Sequence, residues 1–477
     1  MAEFPLRLPT ESTIGKDGQE SNARLVNAYI ESMGQDSGGK VAFTTYAAPG
    51  LARWSQSSFI NSGRGMILLD DETLIAVLGT AVVQFDTEGA STVLSGLIGA
   101  DRLCMARNMN GTPQIGIVNS AGSYYTLISG TLTDRTATET NLVDPNSVCY
   151  VGGYFVFGTN EGKIVHTPPI DTATGITATA YGWSSSTSDA IVRVYAHAGF
   201  LYVFKSKSTE IWANAGTVPF AFQVLQQFFP LGLMAKFSIA ETEDGILWVD
   251  QNGTVRMGND GSSQRVSTST VERAVESLSA EDKADMTGSI IYWEGHKCYQ
   301  LRSSGFTWVY DIAMKRWFQR NSGAFPYWFV NDSICFNGKY ICSSSENGLL
   351  YQLSPGVYND NGQEFTVELW CPNSHNFPNA FLADSLDVDC ITGVALSSGA
   401  GSDIDPVLMI DYSDDGGRHF RGERQVKLGK IGDTNRFVRT NGLGRVNSKG
   451  RIWRFRASAS ILRGVMQAHL SGRRANT

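Results

Sequence analysis

Proline, cysteine and histidine are scarce in this 477-residue sequence, at 14, seven and six residues, and long apolar runs are missing altogether. The cysteines, Cys104, Cys149, Cys298, Cys335, Cys342, Cys371 and Cys390, form no C-x-x-C pair. An odd number without metal-ligand spacing argues against a disulfide framework and a zinc ribbon, and sets the expectation of reduced thiols in a protein that folds in a cytoplasm. The histidines, His166, His197, His296, His375, His419 and His469, stand singly, so neither H-x-x-x-H nor H-E-x-x-H is present to hold a metal. The nucleophile elbow G-x-S-x-G and the phosphate-cradling G-x-x-x-x-G-K-[ST] are missing too. Paired acids such as Asp70 with Asp71, and Glu241 with Glu243, adjoin turns, where solvated carboxylates are ordinary. The expectation is a protein that is not an enzyme, with no catalytic residue, cofactor or metal. No apolar stretch approaches the roughly 18 residues of a membrane helix. Met1 to Pro9 has no charged and apolar signal segment, so secretion is not expected.

Glycine is abundant, at 50 residues in a chain that is 42% hydrophobic, which fits a turn-rich globular protein of two or three domains. An apolar or aromatic strand recurs, starting at Leu74, Gln114, Tyr154, Leu201, Leu247, Cys298 and Lys339, with spacings of 40, 40, 47, 46, 51 and 41 residues. Turns such as Gly152-Gly153, Ala198-Gly199, Asp244-Gly245 and Asn337-Gly338 precede most of these strands. Spacing of this kind, without long helices between strands, is the signature of propeller blades that bury their faces only by stacking in a ring. The expected fold is all-β: a β-propeller of about seven blades, six or eight being compatible with the loose periods, followed by a C-terminal β-sandwich-like domain. A large β-sandwich is the structural alternative. One helical insertion is expected, from a capping box at Ser269-Thr270-Val271-Glu272 and a second N-cap at Ser279. The segment Ser354 to Gln363, rich in Pro, Gly and Asn, ends the repeats and marks the expected domain boundary. The expected division is residues 1–50 as N-terminal strands and arm, 51–360 as propeller and 361–477 as a basic sandwich-like domain.

Charge is unevenly spread. From Asp411 onward there are 15 Lys and Arg against 5 Asp and Glu, a net +10, which leaves −17 for residues 1–410 of a chain whose total is −7. Such polarity implies a basic end that meets something anionic, either a nucleic acid or an acidic protein surface. The basic end reads as short strands, Val407–Ile410, Arg424–Leu428, Arg436–Arg439 and Arg451–Arg456, in which Arg454 and Arg456 share a face and the arginines are displayed on a rigid surface. The interface or DNA-channel candidates are Arg436, Arg439, Arg445, Arg451, Arg454 and Arg456. Ser413 to Phe420 fits the S-x-D-x-G-x-x-[FW] hairpin of sialidases and related propellers, in which Asp and Gly hold a tight turn away from the chemistry.

The order of segments resembles the tail nozzle, or packaged-DNA stabilisation (tail hub), proteins of short-tailed bacteriophages. The resemblance is carried by Leu25-Val26-Asn27-Ala28-Tyr29, the turn Pro49-Gly50-Leu51, the strand Gly199 to Trp212, the capped helix Ser269 to Ala284, Trp308-Val309-Tyr310-Asp311 with Trp317, and the Arg-rich end. It spans most of the chain and is weakest in the first 20 residues and in Pro372 to Gly401. It implies a structural protein of the virion tail, assembled in the host cytoplasm. That protein forms a homo-oligomeric ring, typically a hexamer, below the portal and its adaptor. The ring lengthens the DNA channel, retains packaged DNA without sequence specificity, and offers attachment sites to tailspikes or fibres and to a needle or plug. The basic end then faces either the channel or an adaptor or neighbouring subunit, and the second is preferred because an adhesive lumen opposes ejection. The alternative is a receptor-binding or glycan-cleaving, sialidase-like tail protein, which needs three convergent arginines beside a tyrosine.

Overall fold

The computed structural model describes residues 2–34, 41–97, 99–259, 262–323, 325–399 and 401–474. Seven four-stranded antiparallel sheets follow one another around a ring, at residues 63–96, 104–134, 145–183, 191–229, 240–265, 287–319 and 330–354, the last completed by an earlier strand. The protein is a seven-bladed β-propeller with a C-terminal β-sandwich. Each recurrent apolar stretch in the sequence is the second strand of its blade, as in Leu74–Leu78, Tyr154–Thr159, Phe200–Lys205 and Lys339–Ser344. That strand lies between two sheet partners and under the neighbouring blades, so both of its faces are buried. It therefore reads as a continuous apolar run rather than an alternation. The first and second strands of four blades are joined by two-residue turns whose central residues both have positive φ: Gly152-Gly153, Ala198-Gly199, Glu294-Gly295 and Asn337-Gly338. This geometry matches the right-handed twist of the flanking strands and fixes the register on each side, pairing Val151 with Tyr154 and Phe336 with Lys339.

Closure of the ring is not visible as a repeat. The strand Gly50–Arg53 pairs antiparallel with Leu350–Ser354 and becomes the outermost strand of the seventh blade, so a segment preceding the first blade locks the last one. Gly50 is required by proximity, because a Cβ there would meet the Asn359 carbonyl oxygen at 2.1 Å.

The sandwich is built from both ends of the chain. One sheet runs in the order Val438–Val446, Phe381–Cys390, Gly464–Arg474, Phe43–Ala47, Ala28–Ser32, with Ala2–Leu6 added to Gly464–Arg474. The other contains Asn22–Val26, Val367–Trp370, Ile452–Ala457, Val407–Ser413 and Arg421–Lys427. Its strand Asn22–Val26 also makes a parallel bridge, Val26 to Gln319, with the outer strand of the sixth blade, so propeller and sandwich share one hydrogen-bonded sheet. A single apolar cluster continues across the join, from Trp293, Val309 and Trp328 of the blades to Leu25, Leu386, Trp453 and Leu470.

Asn27 stands where the chain leaves one sandwich sheet for the other. It is fully buried with φ of 55°, a left-handed conformation that Asn tolerates better than most residues. Its backbone N–H donates to Gln319 O at 2.8 Å, and its side chain donates to Asn321 Oδ1 at 2.6 Å and Thr366 O at 2.9 Å while accepting from Asn321 N at 3.0 Å. One side chain thus ties the N-terminal segment to a blade and to the sandwich.

The helical insertion is α1, Ser269–Glu276, and α2, Ala280–Ala284. Ser279 caps α2 by accepting from the Asp282 N–H, as expected. The capping box at Ser269 does not form: Thr268 is the N-cap and makes no side-chain cap bond, while Glu272 accepts from Arg265 and from Ser267 Oγ at 2.7 Å. A charged, bidentate arginine outcompetes a backbone N–H for that carboxylate. A third short helix, α3, Gly401–Ile404, lies within the sandwich.

Candidate functional site

The six candidate arginines divide into two groups. Arg451 is 2% exposed. Its Nε donates to Asp414 Oδ1 at 2.7 Å, its Nη atoms donate to the carbonyls of Leu443 at 2.6 Å and Arg445 at 2.9 Å, and its guanidinium lies 3.6 Å from the Tyr412 ring centroid. Arg454 forms a two-point pair with Asp411 at 2.9 and 2.6 Å and lies 3.8 Å from the Phe420 ring. Arg456 donates to Asp411 at 3.1 Å and pairs with Glu423. Sequence alternation suggested displayed charges. Instead these three sit against carboxylates of the adjacent strand Val407–Ser413 and of the hairpin that follows it, and aromatic rings cover Arg451 and Arg454. The planar guanidinium is suited to such sites because it pairs in two-point fashion and stacks.

Arg436, Arg439 and Arg445 belong to the other sheet or its approach and are exposed. Arg439 pairs with Asp387 across the strands and lies 4.8 Å from the ring of Phe437, itself 66% exposed. Arg436 approaches Asp433 at 3.9 Å. No ion pair to Arg445 is found among the described residues.

Folding also redistributes the charge. The seven acids between Glu364 and Asp405 belong to the sandwich, and Asp387, Asp405 and Asp384 face Arg439, Lys427 and Arg473. Residues 361–477 therefore hold 15 basic against 12 acidic residues, +3, residues 48–360 hold 20 against 28, −8, and residues 1–47 hold 4 against 6, −2. The large dipole counted along the chain shrinks because acids remote from Asp411 in sequence pack beside the arginines in space.

The Ser413 to Phe420 segment is a hairpin turn. Ser413 Oγ donates to Asp415 Oδ1 at 2.7 Å, and that carboxylate accepts from the Arg418 and His419 N–H groups at 3.0 Å. The hydrogen bond from Ser413, followed by that from the His419 backbone, holds the Asp415 carboxyl well below its ordinary range. Tyr412 has Arg451 and Arg421 near its ring, but both pair with Asp414 rather than converging on a cavity. Among the described residues no group of three or more His, Cys, Asp or Glu is placed to hold a metal.

Contacts also cross between non-adjacent blades of the propeller. Arg102, before the second blade, donates to Asn331 O at 2.6 Å and to Asp332 at 3.0 Å on the seventh blade. Arg102, Arg193 and Lys236 lie 5.2, 5.4 and 5.5 Å from the ring of Phe237, on the link between the fourth and fifth blades. Side chains from the fourth and seventh blades, from the segment before the second and from the link between the fourth and fifth meet there, and Arg193 also donates to Lys236 O at 3.0 Å.

Sequence reasoning missed a cleft of about 740 Å³ lined by Arg7, Arg473, Arg474 and His375. The adjacent Arg473-Arg474 pair was a usable signal; Arg7 was not, since only the pairing of Ala2–Leu6 with Gly464–Arg474 brings it there.

Two family models match in succession: Bacteriophage P22 Gp10, beta-propeller, over residues 33–358, and Bacteriophage P22 Gp10, beta-sandwich, over residues 367–472. The chain belongs to the P22 Gp10 family. It is a member of a phage stabilisation family of virion structural proteins, and the two matches adjoin where the seventh blade gives way to the sandwich. No curated protein matches the chain. Solved structures similar to this chain include virginiamycin B lyase from Staphylococcus aureus, at 9% identity and a TM-score of 0.45, covering 64% of this chain and 98% of that one. BBS1N in complex with ARL6DN is similar at 10% identity and a TM-score of 0.39, covering 65% and 98%. Neither likeness bears on function.

Proposed function

We propose that this P22 Gp10-family chain is a tail hub or nozzle subunit. It assembles as a homo-oligomeric ring, with six copies as the expected number, beneath the portal and adaptor, where it extends the DNA channel and helps to retain packaged DNA. The observation that carries this reading is the consecutive match of propeller and sandwich models over nearly the whole chain. The architecture supports it. A propeller locked by the strand Gly50–Arg53 and fused to a sandwich through Asn22–Val26 is a stiff block, suited to holding a ring against the pressure of a packed genome.

The contacts of Arg102, Arg193 and Lys236 around Phe237 support a further point: DNA does not thread a single propeller, so any channel lies between subunits. A heterologous interface that closes makes such a ring. Arg436, Arg439 and Arg445 are the candidates for contact with a neighbour, the adaptor or passing DNA, whereas Arg451, Arg454 and Arg456 act by holding the sandwich together. Attachment of tailspikes or fibres and of a needle or plug belongs to the same proposal.

Light scattering and negative-stain imaging of the purified protein, alone and with the portal-adaptor complex, test it. A ring formed or captured at that complex is expected; a persistent monomer or trimer that ignores the complex would refute the reading.

A further inference from the structure

The cleft that gathers Arg7, Arg473 and Arg474 exists because both chain ends lie in one sheet. Gly464–Arg474 is flanked on one side by Ala2–Leu6 and on the other by Phe381–Cys390, with Leu6 opposite Ala468 and Arg474 opposite Phe381. Its floor is apolar, from Leu6, Phe381 and Leu470. The wall is the loop from Pro372 to Asn376, held by a reciprocal backbone pair between Ser374 and Arg451 at 2.9 Å each way and by Asn373 donating to Lys449 O at 2.8 Å. One residue beyond this wall stands Phe377, 75% exposed. Among the described residues no carboxylate is within ion-pair distance of Arg7 or Arg474, and Arg473 approaches only Asp384, at 3.4 Å. The cleft is therefore concave, apolar at its base, cationic at its rim and flanked by an exposed aromatic. Its size lies in the range of ligand-binding clefts, and arginine with an aromatic anchor is the usual make-up of strongly binding interface residues.

From this geometry we infer that the cleft docks an acidic, extended peptide segment of another protein, with an apolar side chain on the floor and carboxylates on Arg7 and Arg474. The inference deepens the tail-hub reading by giving an attachment site its chemistry, and rests on that reading only for the identity of the partner. A nucleic-acid backbone would use the arginines but leave the apolar floor and Phe377 unmatched. Acidic stretches of this chain such as Asp70 to Glu72 lie in tight turns, with Asp70 accepting from the Glu72 N–H at 2.9 Å, and do not supply an extended segment.

The test is fluorescence anisotropy on the full chain with a fluorescein-labelled hexapeptide, Asp-Glu-Phe-Asp-Glu-Phe. The variants are Arg7→Ser with Arg474→Ser, Phe377→Ser, and Lys207→Ser with Lys315→Ser, two exposed propeller lysines, as a control pair. Loss of two charge-assisted contacts should weaken binding by about tenfold or more in the cleft variant. Phe377→Ser should weaken it as well, the control pair should change it by less than about twofold, and an Asn-Gln-Phe version of the peptide should not bind. Equal weakening by the control pair would mean unspecific charge attraction and overturn the proposal. So would displacement of the peptide by a DNA duplex whose binding needs the same two arginines. Concentration-dependent self-association that the cleft variant abolishes would assign the cleft to a second copy, again overturning it. Ring capture at the portal-adaptor complex, measured on the same variants, reports on the tail-hub reading separately: rings without selective peptide binding remove only the cleft proposal.

Discussion

Replacing Arg451 by methionine should destabilise the sandwich rather than merely weaken an interface. The side chain is 2% exposed, pairs with Asp414, and supplies the Leu443 and Arg445 carbonyls with donors. Removing one partner of a buried ion pair typically costs about 3–5 kcal/mol. Arg421 still pairs with Asp414 in the variant, which places the expectation at the low end, about 3 kcal/mol. The two abandoned carbonyls set a similar scale, at about 1–3 kcal/mol for each that stays dry. The terms overlap and are not summed. Urea unfolding followed by tryptophan fluorescence suits the site, because Trp453 lies within two residues of the substitution and is itself fully buried. Arg445→Met, at an exposed position, should change stability by no more than about 0.5 kcal/mol. Combining Arg451→Met with Asp414→Asn should be less costly than the sum of the two, with a coupling of about 1 kcal/mol or more. A loss below about 1 kcal/mol for Arg451→Met, together with altered ring assembly, would refute the assignment of this arginine to the sandwich interior.

Three further outcomes are expected. Asn27→Ala should cost about 3 kcal/mol or more, from unsatisfied buried partners and a strained left-handed alanine; Asn27→Gly should recover only the strain, and a thermal melt in which both variants match the parent would remove Asn27 from its joining role. Of the seven cysteines, only Cys335 is exposed, while burial pushes the Cys342 and Cys390 thiols up to about 12; a maleimide should label one thiol quickly in the native protein, and Cys335→Ser should abolish that phase. Because the Asp415 carboxyl is held below its ordinary value of 3.8, its contribution to stability is complete above that pH and is lost as pH falls through it toward the lowered value. Asp415→Asn should therefore flatten the acid limb of a stability profile, and an unchanged limb would show that the turn's hydrogen bonds carry no net energy.

The legible parts of the fold are those set by local rules. The seven second strands announce themselves because burial on both faces leaves a mostly apolar run, and four of the turns before them because two successive positive φ values favour Gly at the second position. The strand Gly50–Arg53 was hidden because its partner, Leu350–Ser354, lies some three hundred residues away and its four residues carry no period of their own. The same distance hid the assignment of Ala2–Leu6 and Asn22–Val26 to the sandwich. Asn27 was visible as part of an apolar-Asn-x-Tyr pattern, but its role as a joint follows only from contacts with Gln319, Asn321 and Thr366.

Charge was the least transferable signal, for a physical reason. Counting along the chain separates Asp387 from Arg439 and Asp405 from Lys427, yet strand pairing and packing set them side by side. A net +10 over the last 67 residues thus becomes +3 over residues 361–477. At that level, long-range attraction between an acidic propeller and a basic sandwich is a weak organiser of a ring, more so because salt screens exposed charges beyond about 8 Å at physiological ionic strength. Recognition must then depend on short-range groups left without ion partners by folding. Among the described residues these include Arg445 on the strand Val438–Val446, and Arg7 and Arg474 at the cleft beside Phe377, whereas three arginines of Arg451–Arg456, the stretch that the sequence displays most openly, are paired.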